Sequence, residues 1–258
     1  MTSLYQKYYN NHVELLKVIN SQKNSIIIDN LLIPKSLINT YKISRVLDKY
    51  IVDFFEDKNN VLSPKEISDE IDKIIIQFKN EVLNSLNQEK ENFRKSIETQ
   101  KINFKNIFEY SGSENLYLSN IYTRFITENL GHKFEDIAHI SNKVFIPEKE
   151  INLKIKGIDF IINHNGSIRY VQLKTKKDTL TGSQSTRSID ELRIHKGSIF
   201  AAALNMGKSW TLSKEKAELF NIERLAGEDF WRLIDIDYQI ILSKLAKVMK
   251  EIDKELYK

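Results

Sequence analysis

The chain has 258 residues, 41% of them hydrophobic, with 39 Lys and Arg against 35 Asp and Glu for a formal net charge of +4. That length holds one large domain, or a core with a helical extension, and the apolar share is enough for a substantial core. With no cysteine, no secretory h-region in Met-Thr-Ser-Leu-Tyr-Gln-Lys and no apolar run of membrane-spanning length, disulfides, thiolate metal sites and a membrane partner are excluded and a cytoplasmic location is expected.

Residues 1–62 read as mainly helical, because Tyr5–Val18 and Ile38–Phe55 carry apolar residues at three- and four-residue spacings. Between them Ser25-Ile-Ile-Ile-Asp29 fits a short strand or a buried turn. Ser63-Pro64-Lys65-Glu66 is a helix start: Ser63 caps, Pro64 suits the first helical position and Glu66 completes a capping box. From there Ile67, Ile71, Ile74, Phe78, Val82, Leu86, Phe93 and Ile97 form one stripe, which predicts an amphipathic helix to about residue 98. A packing helix accounts for that stripe, and so does an arm that dimerises or embraces DNA. Ser111-Gly112-Ser113 breaks the pattern before another helix, Glu114 to His139. The expected division is therefore a helical N-terminal region, 1–110, and a core, 111–258.

Asn142–Ile146 reads as a strand, and Ile151–Ile162 as another whose apolar parity switches at Gly157, the mark of a bulge. Asn165-Gly166 then suits a two-residue type I′ turn, since both positions need φ > 0. Counting outward from that turn pairs His164 with Ser167, Ile162 with Arg169, Ile161 with Tyr170, Phe160 with Val171, Asp159 with Gln172 and Ile158 with Leu173. Alternation then puts Ile158, Phe160, Val171 and Leu173 on a core face and Asp159, Gln172 and Lys174 on the other. Opposed residues have Cβ atoms about 4.5–5.5 Å apart, so the Asp159 carboxylate and the Gln172 amide oxygen can share one hard cation. Lys174, two residues on, reaches an attacking water or a scissile phosphate.

Asp159, followed after twelve residues by Gln172-Leu173-Lys174, resembles the core of the PD-(D/E)XK nucleases. In that family an Asp on one strand and Glu/Gln-x-Lys on the next hold Mg²⁺. Ile158 stands where the motif's name has Pro, and Gln172 stands where Glu is usual, which removes one charge from the metal site. The resemblance spans about residues 114–210 and implies a restriction-endonuclease-like core, with Asp159 and Gln172 as metal ligands and Lys174 as a catalytic group. It also implies an acidic residue from the preceding helix, where Gly131-x-x-x-Glu135 makes Glu135 the candidate and Glu128 the runner-up.

The stretch after Lys174, to Ser188, is hydroxylic and basic and reads as a loop. Lys176, Lys177 and Arg187 suit phosphates, while Gln184 and Arg187 suit base edges in a major groove. Ile189–Lys196 reads as a short helix, Ser198–Asn205 as a buried strand, and Ser213–Leu225 and Gly227–Tyr257 as helices. The fold class expected is thus α/β (α+β), a mixed sheet flanked by helices. From the Lys174 loop to Phe230-Trp231 the chain resembles type II restriction endonucleases that cut interrupted GG/CC palindromes. The five histidines have no zinc spacing, and neither a P-loop, a dinucleotide-binding glycine pattern nor a serine nucleophile elbow occurs.

These readings converge on a Mg²⁺-dependent endonuclease for double-stranded DNA, a type II restriction enzyme acting as a homodimer, since two cuts in a palindrome need two sites about a two-fold axis. A structure-selective repair or recombination nuclease of the same fold, and a non-catalytic helical DNA-binding or interaction protein, are the alternatives.

Overall fold

The computed structural model describes residues 12–28, 33–56, 61–99 and 104–256. It divides into two compact units, one of residues 1–67 and 137–238, the other of residues 68–136 and 239–258. The boundary expected near residue 110 falls inside the second of these, because the long helix from Pro64 belongs with the two helices that follow it.

Among the described residues, the first unit has in chain order α1 (His12–Lys23), a 3₁₀ turn (Lys35–Leu37), α2 (Ile38–Leu47) and α3 (Ile51–Glu56). Part of the helix expected over Tyr5–Val18, and Asp29 of the undecided segment, lie outside the described residues; residues 25–28 are irregular. The helix expected over 38–55 is two helices with a turn at 48–50.

The second unit is helical. It holds most of α4 (Pro64–Glu98), α5 (Ile107–Ser111), α6 (Glu114–His139, whose last turn falls in the first unit) and most of α11 (Tyr238–Leu256). The capping box at the start of α4 is as expected: Glu66 accepts from the Ser63 N–H at 2.8 Å, and Ser63 Oγ accepts from the Glu66 N–H at 3.3 Å. Most of the expected stripe is inward, with Ile71, Phe78, Val82, Leu86 and Phe93 buried, while Ile67 and Ile74 are half-buried and Ile97, near the helix end, is exposed.

The sheet lies in the first unit: β1 (Val144–Phe145), β2 (Phe160–His164), β3 (Ser167–Lys174), β4 (Ser198–Ala202) and β5 (Ile222–Ala226), side by side in that order. β1, β2 and β3 run antiparallel, and β3, β4 and β5 run parallel. Helices α7 (Pro147–Ile151), α8 (Gly182–Arg193), α9 (Lys214–Leu219) and α10 (Glu228–Leu233) complete the unit. This is the mixed α/β arrangement that the order of elements predicts. The hairpin register is also as expected from Phe160↔Val171 to His164↔Ser167, around Asn165 at φ 52° and Gly166 at φ 78°.

Four expectations need correction. Residues 151–159 are not a strand with a bulge: α7 ends at Ile151, and a turn at Lys156-Gly157 (φ 77° at the glycine) carries the chain into β2. The helix expected over 213–225 is α9 followed by the edge strand β5. The helix expected from Gly227 is α10 and α11, separated where Asp235 takes φ 56°. Finally, α8 begins seven residues before the helix expected at Ile189.

That last correction changes the environment of the hairpin. One face of the sheet (Phe145, Ile161, Tyr170, Phe200, Ile222) is buried in a single apolar cluster with Ile189 and Leu192 of α8 and with Leu15, Ile19, Val46, Leu47 and Phe54 of the N-terminal helices. Gln172 belongs to this face by alternation. Ile158, expected on the opposite face, joins this cluster too, since it lies outside the ladder. Phe160, on the other face, packs toward Phe230, with ring centroids 6.1 Å apart.

Candidate functional site

Asp159 sits one residue before β2, where the ladder ends. Its N–H donates to the Val171 carbonyl at 2.9 Å, and its carboxylate Oδ2 accepts the Leu173 N–H at 2.6 Å. The side chain therefore stands in for the backbone acceptor that the strand no longer supplies. This locks Asp159 against the strand that carries Gln172 and Lys174.

Gln172 is only 5% exposed. Its Nε2 lies 3.4 Å from Glu191 Oε2, whereas its Oε1 is buried without a hydrogen-bond partner. An amide oxygen left bare in this way costs about 1–3 kcal/mol, so a buried acceptor with no donor asks for a partner. Glu191, near the end of α8, is 3% exposed and pairs with Arg187, Nε to Oε1 at 2.8 Å. That contact raises the Arg187 guanidinium pKa, first through the hydrogen bond and then through the charge of Glu191. Close approach by Glu191 depends on Gly157: a Cβ added there would sit 2.4 Å from Glu191 Oε2.

Lys174 closes β3, half-buried, and among the described residues its ammonium has no carboxylate partner. It follows Gln172 at the two-residue spacing that keeps both on one side of the strand.

The structure places the remaining expected residues differently. Glu135 is on α6 in the second unit, with its Oε1 4.0 Å from His132 Nδ1. Glu128, on the same helix, pairs loosely with Arg124 at 3.8 Å. Among the described residues no three His, Asp or Glu side chains converge as a metal cluster. Lys176 pairs with Asp178 at 3.1 Å, and this cation holds the Asp178 carboxyl below its ordinary range. The loop that carries Lys176 and Lys177 is pinned to residues 206–211, through Lys177 N–H to the Met206 carbonyl and Thr211 N–H to the Lys177 carbonyl, both at 3.1 Å. Gln184 and Arg187 are not on a loop but on the first two turns of α8, both exposed. Gln184 Oε1 accepts the Thr181 N–H at 2.9 Å, half of a capping box.

Glu191 and Lys156 are the residues that sequence reasoning missed. Both line a cleft of about 290 Å³ in the first unit, with Pro34, Ser36, Leu37, Arg187 and Asp190. The signal for Glu191 was present in Thr181-Gly-Ser-Gln184, a capping box that starts α8 early enough to make Arg187 and Glu191 an i,i+4 pair.

Behind Gln172 the same face of β3 carries Tyr170, fully buried. Its hydroxyl donates to Asp48 Oδ1 at 2.6 Å, and burial together with the Asp48 charge holds its pKa well above normal. The ring of His195 stacks on it at 4.2 Å, with neither ring nitrogen hydrogen-bonded. Burial, helped by the nearby Arg45 charge, pushes the His195 pKa down to about 3. This cluster fixes β3 against α2.

Gln172 and Glu191 touch each other and carry oxygen donors of the kind hard divalent cations prefer, and Asp159 is tied to the same strand through the Leu173 N–H. The bare buried oxygen is the feature that fits an ion. No protein-family profile matches the chain, and no curated protein is significantly similar to it.

Proposed function

We propose that the protein is a Mg²⁺-dependent endonuclease acting on double-stranded DNA, of the PD-(D/E)XK kind, and that it cuts at a specific, palindromic site as a homodimer. The observation that carries this reading is Gln172 Oε1. It is a buried oxygen with no partner, beside the buried carboxylate of Glu191, on the strand locked to Asp159 and two residues before a cation that has no carboxylate partner among the described residues.

In this reading Asp159, Gln172 and Glu191 hold the ion, with Glu191 in the role first given to Glu135. A bound Mg²⁺ supplies Lewis acidity at the phosphate and acidifies water. Asp159 keeps its position because the Leu173 N–H fixes one carboxylate oxygen. Lys174, as an ammonium, orients the attacking water by donating a hydrogen bond to it and offsets charge developing on the phosphate. Lys176 and Lys177 provide phosphate contacts from a pinned loop, and the exposed side chains of Gln184 and Arg187 face substrate from α8. A homodimer follows from the symmetry of a palindrome.

A DNA-binding protein without catalysis is the competing reading, and it draws on the same Gln172, since an amide brings no charge to the ion. Incubation with plasmid DNA and Mg²⁺, with sequencing of the ends, separates the two. The proposal expects ends at fixed positions that disappear with EDTA; uncut DNA under every metal condition goes to the competing reading, and ends only on junction DNA go to a structure-selective nuclease.

A further inference from the structure

The buried Glu191 carboxylate has an exposed counterion. Arg187 is 68% exposed at the side chain and Glu191 4%, yet among the described residues their 2.8 Å contact is the ion pair that Glu191 makes. Gln172 meets Glu191 from the other side with its NH₂ group, leaving its own oxygen bare. Glu191 is thus covered by donors, an arrangement that neutralises it without an ion. An arginine anchored on the first turns of α8 and otherwise in solvent has room to leave, and the cleft of about 290 Å³ that it lines also carries Lys156.

We propose that Arg187 is a displaceable latch: it neutralises Glu191 in the ion-free protein, and a divalent cation must release it to reach that carboxylate. This rests on the nuclease reading of the site and adds a regulatory contact to it. Once released, Arg187 remains in the cleft beside Lys156, where both cations suit a phosphate. Rotation of the Gln172 amide, which turns its bare oxygen toward the ion, accompanies the release, because an NH₂ group facing Glu191 has no use beside a cation. Arg187 is in this account a positioning residue, and its removal leaves Glu191 open.

The test is Mn²⁺ binding to the full-length protein without DNA, followed by electron paramagnetic resonance, with circular dichroism as the check on folding. Arg187→Ala and Arg187→Gln are expected to bind Mn²⁺ more tightly than wild type, by about fivefold, the scale of one charge-assisted hydrogen bond to a partly exposed group. Arg187→Lys keeps the charge but not the Nε contact and is expected between the two. Lys156→Ala removes a cation from the same cleft without touching Glu191 and is expected to bind as wild type does. Equal tightening in Lys156→Ala would show a general charge effect and overturn the latch; so would unchanged or weaker binding in both Arg187→Ala and Arg187→Gln. Glu191→Gln is expected to lose the binding. If wild type binds Mn²⁺ and Glu191→Gln binds it equally well, the latch fails while a metal site elsewhere survives. If no form binds it, the latch and the metal reading fail together.

Discussion

Gly157 is where a missing side chain matters most. It holds φ 77°, a conformation unfavourable for any residue with a Cβ, and Glu191 occupies the space a Cβ would fill. Gly157→Ala is therefore expected to cost at least about 1–3 kcal/mol from the backbone alone, more if Glu191 is displaced. Chemical denaturation measures this, and an unchanged midpoint would mean that the turn relaxes freely. His195 offers a second check at this scale. Its folded pKa of about 3 lies below the ordinary value of 6.5, so the folded protein keeps the ring neutral while the unfolded chain takes up a proton. Stability is accordingly complete above pH 6.5 and is lost as pH falls from 6.5 toward 3, by up to about 1.4 kcal/mol per pH unit. His195→Phe, which preserves the stack on Tyr170, should flatten that stretch of the profile in thermal melts; a slope equal to that of wild type would assign the loss to other groups.

Among the elements, α8 has two roles that one variant can separate. Gln184 caps the helix through the Thr181 N–H, so Gln184→Ala should lower stability by about 0.5–1 kcal/mol. Gln184→Glu keeps the cap but alters any contact with a base edge, so it should retain stability and lose site-specific binding, by about 1–3 kcal/mol for a true base contact. Denaturation and a titration with cognate and scrambled duplexes read the two effects; specific binding unchanged in both variants would leave Gln184 a cap alone. The start of α8 was hard to see because Thr-Gly-Ser-Gln-Ser-Thr-Arg-Ser contains poor helix formers, and only tertiary packing of Ile189 and Leu192 makes them helical. The hairpin was legible for the opposite reason, since Asn165-Gly166 sets the register locally and alternation does the rest. Its outer end was not: Asp159 and Ile158 lie beyond the ladder, where a side chain replaces a backbone acceptor. β5 escaped because Ile222-Glu-Arg-Leu-Ala has one apolar spacing of three and reads as a helical turn. The Arg187–Glu191 pair depended on the early start of α8 and was lost with it.

For the whole molecule, the proposal requires a dimer that presents two copies of this site. Sedimentation at micromolar concentration is expected to show a species of twice the 30.3 kDa chain mass, in free solution or with duplex DNA; a monomer under both conditions would remove the homodimer. The central claim, that Asp159 and Lys174 perform metal-dependent phosphodiester hydrolysis, is tested most directly by single-turnover cleavage of a duplex carrying the mapped site, with Mg²⁺. Wild type is compared with Asp159→Asn and Lys174→Ala, each first shown to be folded and to bind DNA with near wild-type affinity. The account predicts that both variants bind the duplex and leave it intact while wild type cuts both strands. Cleavage by either variant at the wild-type rate would contradict it.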